Sequence, residues 1–188
     1  VAADAGQPEA ERRRAAETLR RRADGLLNEG RPAGQAERRP FHWVLEFPEV
    51  FAGGEPGFHG IVGNPPFIGG QRITGFLGTD YRDYAVQHLA GGTRGSADLC
   101  AYFFLRAGSM LRPAGQFGLI ATNTIAQGDS REVGLDRLAS DGFALPRAVA
   151  SEKWPGTANL EVSKVWALRG RWGGRHVLNG SPVRGIGP

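Results

Sequence analysis

The sequence of 188 residues predicts an α/β protein, a doubly wound sheet preceded by a charged helix. Three observations carry this. Residues 8 to 28 are charged throughout and hold only a thin apolar stripe. From Phe41 onward, short apolar runs alternate with glycine-rich loops, and one strongly periodic helical stretch lies between two of those runs. With 29 Gly and 12 Pro, the chain should be built of short elements joined by tight turns, so long uninterrupted helices are not expected beyond residue 40.

In order, Pro8 suits the first turn of the opening helix, and Leu19, Ala23, Leu26 and Leu27 form its stripe. Gly30 to Pro40 reads as a linker. Phe41 to Phe47 is the first candidate strand and Gly57 to Gly63 the second. Ser96 is a candidate N-cap for a helix from Ala97 to Leu111, with Leu99, Phe103, Ala107 and Met110 at three- and four-residue spacing, closed by Pro113 and Gly115. Gln116 to Thr122 follows as a buried strand, Arg131 to Ser140 as a short helix, and Ala144 to Ala150 and Leu160 to Leu168 as strands. The expected organisation is 1–40 charged helix and linker, 41–170 catalytic domain, and 171–188 the start of a downstream segment or linker. Val1 and the turn-rich stretch 179–188 read as cuts rather than natural domain limits.

Composition narrows function without fixing it. A hydrophobic content of 40% suffices for one core, and the net charge of +4 owes much to Arg12-Arg13-Arg14, Arg20-Arg21-Arg22 and Arg38-Arg39. Such runs permit a polyanionic partner, but a solvated helix face explains them equally well. The single Cys100 excludes an internal disulfide and a multi-cysteine zinc site, and its apolar neighbours place it in a core. No run approaches the ~18 apolar residues of a membrane span, and no apolar stretch follows the N-terminal charges as in a signal peptide. A soluble, cytoplasmic protein is expected.

In a doubly wound sheet, chemistry sits beyond the carboxyl ends of the strands, which points to the loops after Gly63, Thr122 and Ala150. The first carries Asn64-Pro65-Pro66-Phe67. Pro65 drives Asn64 toward extended geometry, and two consecutive prolines fix two φ angles and remove two N–H donors, leaving a stiff ridge of acceptors. An aromatic amine such as adenine N6 is a poor nucleophile because its lone pair is delocalised into the ring. If the Asn64 side-chain oxygen and the Pro65 carbonyl each accept one amino hydrogen, the nitrogen is drawn toward tetrahedral geometry and its lone pair freed, with no strong base and no metal. Phe67 would stack on the face of an extruded base, worth about 1–3 kcal/mol. Taken as four letters alone, the motif is as well explained by a turn.

With its flanks, however, the stretch Phe41 to Gly170 resembles the N6-adenine-specific DNA methyltransferases, especially the large restriction-modification (type IIG-like) enzymes. Three segments carry the resemblance: Phe41 to Phe51, Gly57 to Phe67, and Ser96-Ala97-Asp98-Leu99 with its helix and Gly115 to Asn123. It implies a partial S-adenosylmethionine-dependent methyltransferase sheet, S-adenosylmethionine as cofactor, DNA as partner, and a role in phage defence. It also implies Asn64, Pro65, Pro66 and Phe67 as the catalytic set, and Glu46, Asp98 and Leu99 as cofactor-binding, with no metal. Glu46 is equally explained as an edge charge or an arginine partner, and Asp98 as a helix N-terminal charge.

The sequence departs from the family at His59, where an acidic residue is common, and shows no glycine loop after a strand upstream of residue 41. The fragment alone is therefore expected to be inactive, with an N-terminal cofactor-binding segment and a C-terminal target-recognition segment supplied by the parent chain. Gly69 to Gly75 and Arg82 are candidates for phosphate contact, with a glycine-rich surface loop slightly preferred; Trp154 to Asn159 either helps enclose the base or forms a turn. Two rival functions stay open: an amino-methyltransferase acting on RNA or a protein glutamine, and a non-catalytic DNA-binding fragment.

Overall fold

The computed structural model describes residues 8–28, 41–52, 54–93, 95–155 and 160–187. The expected linker 30–40 and residues 156–159 of the Trp154 turn lie outside the described residues. The chain divides into two compact units, Val1–Glu46 and Phe47–Pro188.

The first unit holds α1 (Glu9–Asn28) and the helical turn α2 (Trp43–Glu46). Leu19 and Leu26 of the apolar stripe stand 60% and 63% exposed on α1. The strand expected over Phe41 to Phe47 is instead helical. The N–H groups of Leu45 and Glu46 both donate to the His42 carbonyl, at 2.9 and 3.0 Å, and Pro48 opens the next helical turn, α3 (Pro48–Phe51). A proline with fixed φ and no N–H to lose suits a first helical position, so the local bonds win over the β-forming composition.

The second unit is organised on a six-stranded sheet: β1 (Phe58–Gly63), β2 (Leu111–Thr122), β3 (Phe143–Lys153), β4 (Glu161–Arg169), β5 (His176–Leu178) and β6 (Ser181–Val183). Their spatial order is β1-β2-β4-β3-β5-β6. β1, β2, β3 and β5 run in one direction, while β4 and β6 run against it. The loops leaving β1, β2 and β3 therefore share one end of the sheet.

The turn into β1 depends on Gly57. Its φ is +121°, and a Cβ there would lie 2.5 Å from the Arg112 backbone nitrogen, so only glycine allows this approach. The helices between strands are α4 (Gly70–Leu77), α5 (Thr79–Tyr84) running into a π-helical turn (Ala85–Leu89), α6 (Leu99–Met110), and α7 (Gly128–Arg131) and α8 (Arg137–Ser140) flanking a second π-helical turn (Glu132–Asp136). The stretch read as a glycine-rich loop after Gly69 is thus largely helical. Residues 171–188, expected as the start of a downstream segment or a linker, contribute β5 and β6 to the sheet.

Strand alternation sorts the sheet faces. Phe117, Leu119 and Ala121 of β2 pair with Ala167, Val165 and Ser163 of β4, and all six are buried. All but Ser163 join a core with Leu99, Phe104, Leu105 and Ala107 of α6; the Phe104 and Phe117 rings meet edge to face at 5.4 Å. Phe104 is fully buried and Phe103 is 38% exposed, so the helix turns a slightly different stripe inward than the spacing suggested. On the opposite face, Val62, Gly118, Ile120, Lys164 and Trp166 line an apolar hollow of about 620 Å³. Trp166 lies against Gly118 there, and the Arg147 guanidinium sits 4.9 Å from its ring centroid.

Candidate active site

Asn64 leaves β1 directly after Gly63. Its side chain is exposed, Pro65 is buried, Pro66 is exposed and Phe67 is half-buried. One proline is thus anchored in protein while the amide stands in solvent. Leu119 of β2 fits against Gly63 on the core side, where an added Cβ would lie 3.3 Å from its side chain.

The downstream end of the loop is stitched to the start of α6. The Leu99 N–H donates to the Ile68 carbonyl at 2.9 Å, and the Gly70 N–H donates to Asp98 Oδ1 at 3.2 Å. At Gly70 the contact is so close that a Cβ would lie 2.1 Å from the Ser96 carbonyl oxygen. Asp98, not Ser96, occupies the N-cap of α6, yet its carboxylate makes no capping bond. Instead Asp98 Oδ2 accepts from the hydroxyls of Thr122 at 2.9 Å and Thr124 at 2.5 Å, and the Asp98 N–H donates to Ser130 Oγ at 2.9 Å. Hydroxyls at the end of β2 compete successfully for the oxygens that would otherwise serve the helix terminus. Leu99 is 2% exposed.

A third loop enters from β3. The half-buried Trp154 ring meets Phe67 edge to face, with centroids 6.3 Å apart and planes at 89°. The Trp154 N–H donates to the Leu160 carbonyl at 2.9 Å, closing the β3–β4 turn. At its base, Glu161 Oε2 accepts from the Asn123 side-chain amide at 3.2 Å and the Ser151 hydroxyl at 2.5 Å. The structure therefore brings together Asn64 to Phe67, Asp98, Leu99 and Trp154 in the second unit. Glu46 is exposed at the end of α2 in the first unit. His59 is exposed on β1, and no group of three or more His, Cys, Asp or Glu side chains among the described residues could hold a metal ion.

Cys100, one residue beyond Leu99, is buried, and its thiol pKa is raised chiefly by that burial, against a lowering contribution from Thr122. It is a core thiol held protonated rather than a nucleophile. Among the described residues, no helix is long and apolar enough to cross a membrane.

Comparison with known proteins gives the family. The profile of the Eco57I restriction-modification methylase family matches residues 9–140. The chain belongs to that family. The matched region runs from α1 through the Asn64 loop, α6 and β2 to α8, so Trp154 and Glu161 lie beyond it. Among solved structures, the type IIL restriction-modification enzyme MmeI in complex with DNA superposes with a TM-score of 0.52 at 22% identity, covering 66% of this chain and 18% of that one. A class I S-adenosylmethionine-dependent methyltransferase from Listeria monocytogenes, described as putative, matches at a TM-score of 0.48 and 9% identity, over 66% of this chain and 38% of its own. The chain thus spans well under half of either protein. The MmeI superposition shows a shared α/β fold. No curated protein matches the sequence.

Sequence reasoning left three groups out of the site or undecided. Trp154 was balanced between a wall of the site and a turn, and its contact with Phe67 places it beside the loop. Thr122 closes an expected strand without a role, Thr124 lies in the loop after it, and Glu161 is the second residue of the expected last strand, Leu160 to Leu168. Their signal is polarity at strand ends that share one edge of the sheet, which becomes legible once strand directions are known.

Proposed function

We propose that this chain carries the target-amine site of an adenine-N6-specific DNA methyltransferase, which moves a methyl group from S-adenosylmethionine to DNA in a restriction-modification or phage-defence system. The observation that carries this reading is an exposed Asn64 at the end of β1, on a loop stiffened by Pro65 and Pro66, next to the right-angled Phe67–Trp154 pair. The restriction-modification description of the family and the DNA bound by MmeI support DNA as the polymer.

In the mechanism, the Asn64 side-chain oxygen and the Pro65 carbonyl accept the two amino hydrogens of an extruded adenine, and the N6 lone pair gains nucleophilic character. With a methyl donor bound, Asn64 and Pro65 would hold N6 ready to take up the methyl carbon, and the surplus amino proton would leave to solvent. Phe67 offers one face to the base, and Trp154, set perpendicular to it, closes a second side. Restraint of the amine acts mainly in the transition state, so it should raise the rate more than it tightens ground-state binding.

When bound, S-adenosylmethionine supplies an electrophilic methyl on a positively charged sulfur. The residues present fit part of such a group. Asp98 offers a fixed negative wall and Leu99 a buried apolar one, and we assign both to its border. Asp98 also borders a polar hollow of about 420 Å³ with Gly69, Gly70, Gln71, Arg72 and Ser96. The larger apolar hollow over Gly118 and Trp166 offers few polar partners and does not suit a zwitterion. Cytoplasmic action follows from a DNA substrate.

The test is Asn64→Ala in the full-length protein. It should lower single-turnover methylation of DNA by orders of magnitude, with cofactor affinity nearly unchanged. Labelled methyl transferred to RNA or to a protein glutamine, and not to DNA, would move the site to another substrate; normal turnover would remove Asn64 from the mechanism.

A further inference from the structure

We infer that Asp98, together with the Thr122 and Thr124 hydroxyls, is a positioning device that sets the orientation of the Asn64-Pro65-Pro66-Phe67 loop. The inference rests on the proposed role of that loop.

The geometry joins three segments far apart in sequence through one side chain. Oδ1 takes the Gly70 N–H, two residues after the loop's anchor at Ile68, and Oδ2 takes hydroxyls from Thr122 at the end of β2 and from Thr124 in the turn that follows. The backbone of Asp98 is held in turn by Ser130, 5% exposed, and the neighbouring Ser96 N–H by Asp129 Oδ2 at 2.5 Å. The carboxylate is thus fixed from behind before it acts on the loop.

Thr122 and Thr124 also approach each other to 2.7 Å. Two hydroxyls have two protons for three short contacts, and a carboxylate is a stronger acceptor than a hydroxyl, so both protons are directed at Asp98. With its acceptors occupied inside the protein, the carboxylate is locked in one rotamer. The chain from β2 through Asp98 and Gly70 to Ile68 then fixes the downstream end of the loop, while Gly63, hydrogen-bonded into the β1–β2 ladder, fixes its start. An amine held by two acceptors responds steeply to their aim, and small misplacements in such settings cost large factors in rate. Nothing in this chain of contacts requires Asp98 to bind a substrate directly.

The experiment uses the full-length protein with Thr122→Val/Thr124→Val and, separately, Thr124→Ser. Single-turnover DNA methylation is measured at saturating S-adenosylmethionine, and cofactor Kd by calorimetry. The double valine variant keeps the side-chain shapes but deletes both hydroxyls; it should methylate about tenfold more slowly with Kd changed less than twofold. Thr124→Ser, which keeps the hydroxyl, should stay within twofold of wild type. Should the valine variant fail to fold, Asp98→Asn takes its place, with its rate read at cofactor concentrations saturating for that variant so that any change in Kd is removed: with one acceptor oxygen replaced by a donor, it should also lose about tenfold in rate. A valine or asparagine variant with wild-type rate would overturn the inference, as would a serine variant as slow as the valine one. Asn64→Ala, assayed alongside, separates the two readings. If it is inactive while the valine variant is normal, only the positioning role falls; if it is active, the assignment of the loop falls.

Discussion

Gly70→Ala should loosen the active-site loop without altering any side chain proposed to meet substrate. An alanine Cβ would lie 2.1 Å from the Ser96 carbonyl oxygen and 2.7 Å from that of Ala97. Ordinary contact begins near 3.4 Å, so the loop must retreat by more than 1 Å from the 96–97 backbone. The neighbour is main chain immediately before α6, and it cannot swing aside as a flexible side chain would. Such a shift breaks the 3.2 Å bond from Gly70 N–H to Asp98 and strains the 2.9 Å bond from Leu99 N–H to the Ile68 carbonyl. A bond to a charged acceptor contributes about 1.5–3 kcal/mol and a neutral one about 1 kcal/mol, so a local loss of about 2–4 kcal/mol is expected for this partly buried pair. Hydrogen exchange followed by mass spectrometry on the full-length protein reads this directly. Amides at residues 68–72 and at Leu99 should exchange about 30- to 1,000-fold faster, since each 1.4 kcal/mol is a factor of ten, while the central amides of β2 remain protected. Methylation should slow as well. Unchanged exchange in both segments together with a wild-type rate would show that the close approach at Gly70 does not hold the loop.

Two further expectations concern Phe67 and Cys100. Phe67→Ala should weaken capture of a flipped base by about 1–3 kcal/mol, seen as a changed 2-aminopurine signal at the target position and slower methylation, whereas Phe67→Tyr or Trp should keep most activity; unfolding of the alanine variant, or an unchanged signal and rate, would make Phe67 a packing residue. Burial raises the Cys100 thiol pKa, so the folded state holds the proton more tightly than the unfolded one. The resulting stabilisation is complete below the ordinary thiol range and lost as pH rises through the folded value. Alkylation of the native protein at pH 8 should therefore be slow and should accelerate on adding denaturant; rapid labelling without denaturant would contradict a buried, protonated thiol.

Much of the sheet was legible because its central strands are short runs rich in apolar residues. Phe117-Gly-Leu-Ile-Ala121 and Val162-Ser-Lys-Val-Trp-Ala-Leu168 could only be buried strands, and both stretches lie in strands of the sheet, β2 and β4. Phe41 to Phe47 misled because its aromatic and β-branched residues favour strands, while the deciding signal was the proline that follows. The helices α4 and α5 were obscured by Gly69, Gly70, Gly75 and Gly78, although Ile73, Phe76 and Leu77 carry a helical spacing. β5 and β6 have three residues each, too few to show a period of two. In the site, Asn64 to Phe67 stood out because proline chemistry acts locally. The Asp98 network joins residues 24 to 28 positions apart and could not be read along the chain.

The position of β1 has a practical meaning. Among the described residues it pairs with β2 alone, at the end of the strand order, and Val62 on it is 91% exposed above the apolar hollow. Backbone donors and acceptors on such a rim are a template for any extended peptide, including another copy of the same strand. When the chain is handled in isolation and concentrated, self-association should begin there, a few residues from Asn64, and inactivity of such a preparation would report stacking of rims as readily as a missing catalytic group. A lysine in place of Val62 puts charge on the side of the sheet away from the core and is the mildest remedy.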